Sequence, residues 1–187
     1  MPKIVDQDHY SREILEGALV AFGEHGYNGL SVREIARSLS VSTGTLYHYF
    51  DSKHDLFLHV VDYQTDQLAD RLRAHGTGAT PSDRLHSLLE HVRGNEAWYI
   101  RYNRICLDYL RVRDERGTVV MSTTTERAVD ALGDALGIDP AAARFVLVCI
   151  FGLVTQRDLD GGATSFDEQA RLLGSWVRDG SRRMSSR

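Results

Sequence analysis

Residues 31–50 read SVREIARSLSVSTGTLYHYF, and they predict two short helices joined by a tight turn. Ser31, with Glu34 three residues later, is a capping-box pattern that starts the first helix. Its apolar positions recur at i, i+3, i+4 and i+7, which is one face of a helix: Val32, Ile35, Ala36 and Leu39. We expect Ser42 to cap a second helix that runs to about Phe50. Two short helices joined in this way form a helix-turn-helix, whose second helix can enter the major groove of DNA.

The second helix carries side chains that suit contact with a nucleic acid. Thr43, Gly44 and Thr45 are small, so the helix N-terminus, which favours phosphate, can approach closely. Tyr47 and His48 are expected to point outward and to hydrogen-bond phosphates or base edges, whereas Leu46, Tyr49 and Phe50 are interpreted as packing residues. Lys53 follows at the start of the next helix and is one of only two lysines in the chain.

The charge balance restricts how such a surface could work. The 187-residue chain has a formal net charge of −4 and a pI near 6.0. Residues 1–60 carry five Lys and Arg against eight Asp and Glu, a formal charge of −3. Because this is not the broad basic footprint of many nucleic-acid binders, a DNA-contacting face must be local and must use neutral donors as well as cations.

The rest of the chain predicts an all-α protein. Nearly every segment has helical apolar spacing, about nine helices are expected, and no stretch shows the two-residue alternation of a strand. We divide the chain into a helix-turn-helix domain at residues 1–50 and a larger helical domain at residues 51–187. There is no signal-peptide pattern and no apolar run long enough for a membrane span. Two cysteines are too few for a disulfide framework, so we expect a cytoplasmic protein with reduced thiols.

Residues 10–58 closely resemble the DNA-binding domain of the TetR (tetracycline-repressor) family of transcriptional regulators. The resemblance rests on ILEGALVAFGEHGYNGLSVREIA, on LSVSTGTLYHYF and on SKHDLF, all with unbroken spacing. It implies a homodimer that binds double-stranded DNA at a near-palindromic operator and is released by a small molecule. It also implies the following DNA-contacting positions, with Ser31 and Arg33 near phosphate: Ser31, Arg33, Thr43, Gly44, Tyr47, His48 and Lys53. To these our reading of the residues adds Ser42 and Thr45.

An aromatic stripe in the middle of the chain is a candidate effector site. It comprises Trp98, Tyr102, Ile105, Cys106 and Tyr109. A mostly apolar cavity with a few polar groups is typical of a small-molecule site, and buried tyrosine hydroxyls need partners. Plain core packing of the same residues is an equally good interpretation. If the cavity exists, its ligand should be small and substantially apolar.

A dimer interface is expected from the last two long helices. The segment FVLVCIFGLV, residues 145–154, is apolar on every side, which a helix tolerates when it is buried all round. One core cannot cover it entirely, so a second chain should complete a four-helix bundle with the last helix. The predicted interface residues are Phe145, Cys149, Gly152, Leu153, Phe166, Leu173, Trp176 and Val177.

Other functions find little support in the sequence. No nucleotide-binding glycine pattern or nucleophile motif is present, and the histidine pairs five residues apart do not share a helical face, so we expect no catalysis, no cofactor and no metal site. A regulator without a small-molecule effector, controlled by redox chemistry or by a partner protein, is an alternative interpretation, and so is an activator.

Overall fold

The computed structural model describes residues 7–111 and 114–184, and within these ranges the chain forms nine α-helices and no strand. The all-α prediction is therefore confirmed. The helices are α1 (Gln7–His25), α2 (Val32–Ser38), α3 (Thr43–Tyr49), α4 (Lys53–His75), α5 (Pro81–Gly94), α6 (Glu96–Tyr109), α7 (Glu115–Leu136), α8 (Pro140–Leu159) and α9 (Phe166–Met184).

Local capping interactions set where the short N-terminal helices begin. The Ser31 hydroxyl accepts from the backbone N–H of Glu34, and the Glu34 carboxylate accepts from the backbone N–H of Ser31 at 2.7 Å. This capping box satisfies two amides that a helix N-terminus leaves without partners. Ser42 caps α3 by accepting from the N–H of Thr45 at 2.9 Å. The left-handed backbone of Ser40, with φ of 57°, turns the chain between α2 and α3.

The longer helices form the larger part of the molecule around α4. Helix α4 packs along α7, α7 packs on α8, and α9 packs on α5. The axes of α7 and α8 meet at 106° across the turn at Gly137, whose backbone is left-handed. Among the described residues no single helix combines the length and apolar character of a membrane crossing, and α7 and α8 meet that test only when they are taken together.

Helix α6 docks the N-terminal helices onto the larger part. The Arg104 guanidinium donates to the Gly23 carbonyl at 3.2 Å, and the Asp108 carboxylate accepts from the Tyr27 backbone N–H at 2.6 Å. A Cβ added at Gly23 would lie 2.9 Å from the Arg101 side chain, so this approach requires glycine. The buried apolar residues of both parts form one continuous cluster, and the division at residue 50 stays a prediction.

Candidate nucleic-acid interface and effector cavity

Helix α3 is amphipathic, with one face in the core and one face in solvent. Leu46 and the C-cap residue Phe50 are buried. Tyr47 is 55% exposed and His48 is also exposed, with its imidazole edge-on to the ring of Tyr49. Tyr49 is half-buried, as the packing interpretation predicts. The phenol of Tyr47 and the imidazole of His48 are therefore both on the solvent-exposed side of α3.

The N-terminal end of α3 is small and open. The Ser42 hydroxyl lies 2.8 Å from the Thr45 hydroxyl, and these two side chains bond each other as well as the helix amide. A Cβ added at Gly44 would meet only the Ser42 hydroxyl, at the ordinary contact distance of 3.5 Å. Nothing within the protein requires glycine there. Thr43, half-buried, is the first residue of the helix.

Ser31 and Arg33 lie exposed at the head of α2. The backbone and side-chain hydrogen bonds from Ser31 lower the pKa of the Glu34 carboxyl, which is therefore charged at neutral pH. Arg33 directly precedes Glu34 in the chain, and the Glu34 carboxylate is already bound in the capping box with Ser31. The exposed position of Arg33 at the head of α2 is compatible with the phosphate contact that the family resemblance implies for it.

Lys53 has a second role that the sequence did not indicate. Its ammonium donates to the carbonyls of Tyr27 and Leu30, both at 3.0 Å, and lies 4.0 Å from the centroid of the Tyr27 ring. These bonds tie the α1–α2 loop to the start of α4. Since an ammonium has three donors, one N–H remains for the phosphate contact that the sequence predicts.

A cavity of about 310 Å³ lies between α4, α6, α7 and α8. Two residues of the predicted effector stripe, Tyr102 and Cys106, line it. Its other walls come from residues that sequence reasoning missed. Leu107 and Leu110 lie on α6 and at its C-cap. The rest come from α4, α7 and α8: Leu68, Met121, Thr124, Thr125, Ala128, Leu147, Val148 and Phe151. The lining is mainly apolar with a few hydroxyls, as expected of a small-molecule site.

The other three residues of the stripe lie away from this cavity lining. Ile105 is fully buried in the core. Tyr109 is buried and bonds the Thr118 hydroxyl at 2.9 Å, which holds the α6–α7 connection. The Trp98 ring is stacked on the ring of Tyr102 at 5.5 Å. The stripe is thus divided between the cavity lining and the core, and its role as an effector site stays a prediction.

Neither cysteine is in an environment that activates a thiol. Burial raises the pKa of the Cys106 thiol to about 12, and burial also raises the pKa of the Cys149 thiol. Because the thiolate is the reactive form, these environments disfavour the redox-controlled alternative.

Helices α8 and α9 present an apolar face to solvent. A groove of about 510 Å³ runs between them and is lined by Phe145, Cys149, Gly152, Leu153, Leu173 and Trp176, among others. The Phe145 and Trp176 rings are 4.2 Å apart and both residues are exposed. A Cβ added at Gly152 would meet nothing within 4 Å, which leaves room for a second backbone.

The apolar stripe of α9, which the sequence predicts to face a second chain, packs within the protomer instead. Phe166, Leu173 and Val177 are all buried within the protomer, where α9 packs on α5. The periodicity identified the apolar stripe, but a stripe alone does not say whether it faces the same chain or another. An exposed apolar residue of this groove that the sequence did not indicate is Leu172, which is 61% exposed.

Among the described residues, no group of three or more His, Cys, Asp and Glu side chains could hold a metal ion.

Comparisons with known proteins place the N-terminal helices in a family. Residues 14–60 match the model described as "Bacterial regulatory proteins, tetR family". The chain is 37% identical over 65 residues to the HTH-type transcriptional repressor AcnR of Corynebacterium diphtheriae, a match that covers 35% of this chain and 34% of AcnR. The chain thus spans about a third of the length of the curated relatives that it matches.

The whole fold matches solved structures. The TetR-family transcriptional regulator PfmR of Thermus thermophilus superposes with a TM-score of 0.65 at 24% identity, over 88% of this chain and 96% of PfmR. FadR of Bacillus subtilis, in complex with stearoyl-CoA, superposes with a TM-score of 0.70 at 18% identity, over 89% of this chain and 96% of FadR. The chain thus contains a TetR-type DNA-binding segment at residues 14–60, and it shares its fold with these solved structures over most of its length.

Proposed function

We propose that the protein is a cytoplasmic transcriptional repressor that binds a near-palindromic operator as a homodimer and is released by a small apolar effector. The observation that carries the proposal is the outward face of α3, where Tyr47 and His48 are exposed beside a small, open helix N-terminus. The name of the relative AcnR, a transcriptional repressor that matches over this segment, supports it.

Within this face the roles divide by chemistry. Tyr47 and Lys53 contact phosphates, which carry no sequence information, and therefore contribute to affinity for any duplex. Thr43 and His48 contact base edges and therefore contribute to sequence preference. Ser31 and Arg33 at the head of α2, with Ser42, Gly44 and Thr45 at the head of α3, complete the contacts with the DNA backbone.

The DNA-binding proposal is tested by selecting duplexes from a random library with the purified protein. We expect enrichment of a near-palindrome whose half-sites lie about one helical turn, or a multiple of it, apart. Tyr47→Ala should weaken binding to selected and random duplexes alike, because a phosphate contact is lost. His48→Ala should change the preferred sequence. Failure to enrich any sequence, with affinity equal for all duplexes, contradicts the proposal.

The cavity beside Tyr102 and Cys106 is the proposed effector site. Both residues stand on α6, and the same helix holds α1 through Arg104 and Asp108. A ligand that displaces α6 thus acts on the position of the N-terminal helices, and it releases DNA when it binds the DNA-free arrangement more tightly. FadR of Bacillus subtilis, which has this fold, is in complex with stearoyl-CoA, a ligand with a long apolar chain.

The effector proposal is tested with Nile red, a neutral apolar dye whose fluorescence rises in an apolar cavity. Thr125 is exposed and lines the cavity, so Thr125→Phe fills the space from its rim and should lower the affinity for the dye severalfold. Ser122→Phe places the same ring on an exposed position of α7 outside the lining and is the matched control. Equal dye binding by the parent protein and both variants contradicts an effector site in this cavity.

A further inference from the structure

A second cluster of polar and aromatic side chains lies where α4, α5 and α6 meet. The rings of His75 and His91 are stacked, with centroids 3.6 Å apart and an interplanar angle of 10°. The Arg71 guanidinium lies 4.6 Å from the centroid of the Trp98 ring. The Tyr99 ring is edge-on to His91, with centroids 6.2 Å apart. Three helices thus bring two imidazoles, a guanidinium and a phenol together.

This cluster contains three buried polar atoms without a hydrogen-bond partner in the described part of the chain: Arg71 Nε, His91 Nε2 and the Tyr99 hydroxyl. Tyr99 itself is only 3% exposed. Buried polar groups are almost always hydrogen-bonded, and a buried donor without a partner costs about 1–3 kcal/mol. Because three such polar atoms lie in one cluster, we expect a single ligand to form hydrogen bonds with all of them.

All three unpartnered groups are donors. The Asn95 amide nitrogen donates to the His91 carbonyl at 2.9 Å, which fixes the orientation of the amide, and it lies 3.3 Å from His91 Nδ1. Nδ1 is therefore the acceptor, and the proton of the neutral ring is on Nε2. Arginine Nε can only donate, and burial raises the pKa of Tyr99 to about 12, so its hydroxyl keeps its proton. The missing partner must supply acceptors.

The charges around the cluster have the same sign. Burial lowers the pKa of His91, and the nearby His75 and Arg71 lower it further. In the segments 7–111 and 114–184, no carboxylate lies within ion-pair distance of the Arg71 guanidinium or of the His75 and His91 rings. The guanidinium thus has no counter-ion from the described protein, and an anion would complete both the charge balance and the hydrogen bonds.

The cluster can be reached from solvent and is separate from the effector cavity. Arg71, His75, His91 and Trp98 are only half-buried, so one side of the cluster meets water. The stacked rings of Trp98 and Tyr102 stand between the cluster and the cavity, since Tyr102 lines the cavity and Trp98 lies against Arg71. A ligand here need not compete with one in the cavity.

We propose that Arg71, His75, His91 and Tyr99 form a binding site for a small oxyanion, a carboxylate or phosphate group, independent of DNA binding and of the apolar effector site. The anion accepts from Arg71 Nε, His91 Nε2 and the Tyr99 hydroxyl. It neutralises the guanidinium and favours the protonated His91 ring, so it binds more tightly as the pH falls.

Trp98 fluorescence reports on this site because the Arg71 guanidinium lies on its ring. The protein is prepared as Trp176→Phe, which removes the only other tryptophan. It is titrated at pH 6 with sodium phosphate, and separately with sodium acetate, against sodium chloride at matched ionic strength. We expect a saturable change with phosphate or acetate that chloride does not produce, and whichever of the two binds identifies the group. The midpoint of thermal unfolding, which does not depend on the fluorophore, should rise with the same anion.

Two variants separate a built site from a general salt effect. Tyr99→Phe removes one donor and should weaken the anion about tenfold or more, because a hydrogen bond to a charged group contributes about 1.5–3 kcal/mol. Tyr63→Phe removes a hydroxyl that bonds Glu16 at a distant surface and should bind like the parent. His91→Gln should reduce the gain in affinity between pH 8 and pH 6. Equal responses to all three salts, or an unchanged anion affinity in both Tyr99→Phe and His91→Gln, overturn the proposal.

Discussion

At the scale of single residues, Gly44 lies at the exposed start of α3 with open space where a side chain would stand. A glycine that the protein does not need for its own packing is destabilising in a helix by about 0.5–1 kcal/mol relative to alanine. The advantage of glycine at position 44 must then come from a molecule that binds the protein there. The proposed DNA contact supplies a reason, since a Cβ at this position would stand between the helix backbone and a phosphate.

Gly44→Ala is therefore expected to raise the free energy of unfolding by up to about 1 kcal/mol while it lowers operator affinity. Urea unfolding and fluorescence anisotropy on the selected duplex measure the two effects. Gly94→Ala, at the end of α5 where a Cβ meets nothing within 4 Å, should leave DNA binding unchanged. Unchanged operator affinity in Gly44→Ala would show that the backbone does not approach DNA there.

Lys53 combines a structural role with the predicted phosphate contact. Lys53→Ala removes two charge-assisted hydrogen bonds and a cation–π contact, so it should lower the free energy of unfolding by about 2 kcal/mol. Arg37→Ala, on the exposed side of α2, should change it by no more than about 0.5 kcal/mol. Equal urea midpoints for the two variants would contradict the structural role of Lys53.

At the scale of elements, α6 connects the three regions that the proposals concern. One face holds α1, another contributes Tyr102 and Cys106 to the cavity, and its start supplies Trp98 and Tyr99 to the polar cluster. A helix is stiff along its axis, so a displacement of α6 at the cavity is transmitted to the contacts that hold α1. The arrangement makes α6 the element through which a bound ligand would act on the N-terminal helices.

The contact between α4 and α5 should make stability depend on pH through His91. Burial, His75 and Arg71 lower the pKa of His91 in the folded protein below its unfolded value, which is about 6.5. Stabilisation from the neutral ring is thus fully present above about pH 6.5 and is lost as the pH falls through the folded pKa. We expect the urea midpoint to fall between pH 7.5 and pH 5.5, and to fall less in His91→Gln. Identical pH profiles would contradict this environment for His91.

At the scale of the whole molecule, α8 and α9 leave an apolar groove uncovered. Phe145, Leu172 and Trp176 are all exposed there around the groove. Exposed apolar patches of this kind mark interaction sites. A two-fold dimer would cover the face and would also relate two α3 helices by the symmetry that a palindromic operator requires.

Leu172→Glu should therefore give a monomer at micromolar concentration, because it buries a charge at the interface, without a large change in the stability of the protomer. Sedimentation equilibrium and thermal unfolding measure the two properties. Val119→Glu, on an α7 position that is 62% exposed and outside the groove, should remain dimeric. If the parent protein is monomeric under these conditions, both the interface and the proposed operator geometry fail.

The sequence by itself determined the features that depend on residues a few positions apart. The capping box of Ser31 and Glu34, the Ser42 cap, and the inward side of α3 at Leu46 and Phe50 are all present as predicted. Caps and helical periodicity act between residues one turn apart, so the order of amino acids contains them directly. Hence the all-α class and the helix-turn-helix could be predicted, and with them the TetR-type segment that the family model matches at residues 14–60.

Only the tertiary structure decided the features that join distant parts of the chain. The acceptors of Lys53 lie 23 and 26 residues before it, the walls of the cavity come from four helices, and the stripe of α9 that includes Phe166 and Val177 turns inward onto α5. Periodicity identifies an apolar face, but the packing of whole helices determines what that face meets. For the same physical reason, the cluster of Arg71, His91 and Tyr99 has no signature in the sequence, since its donors become neighbours only when α4, α5 and α6 pack together.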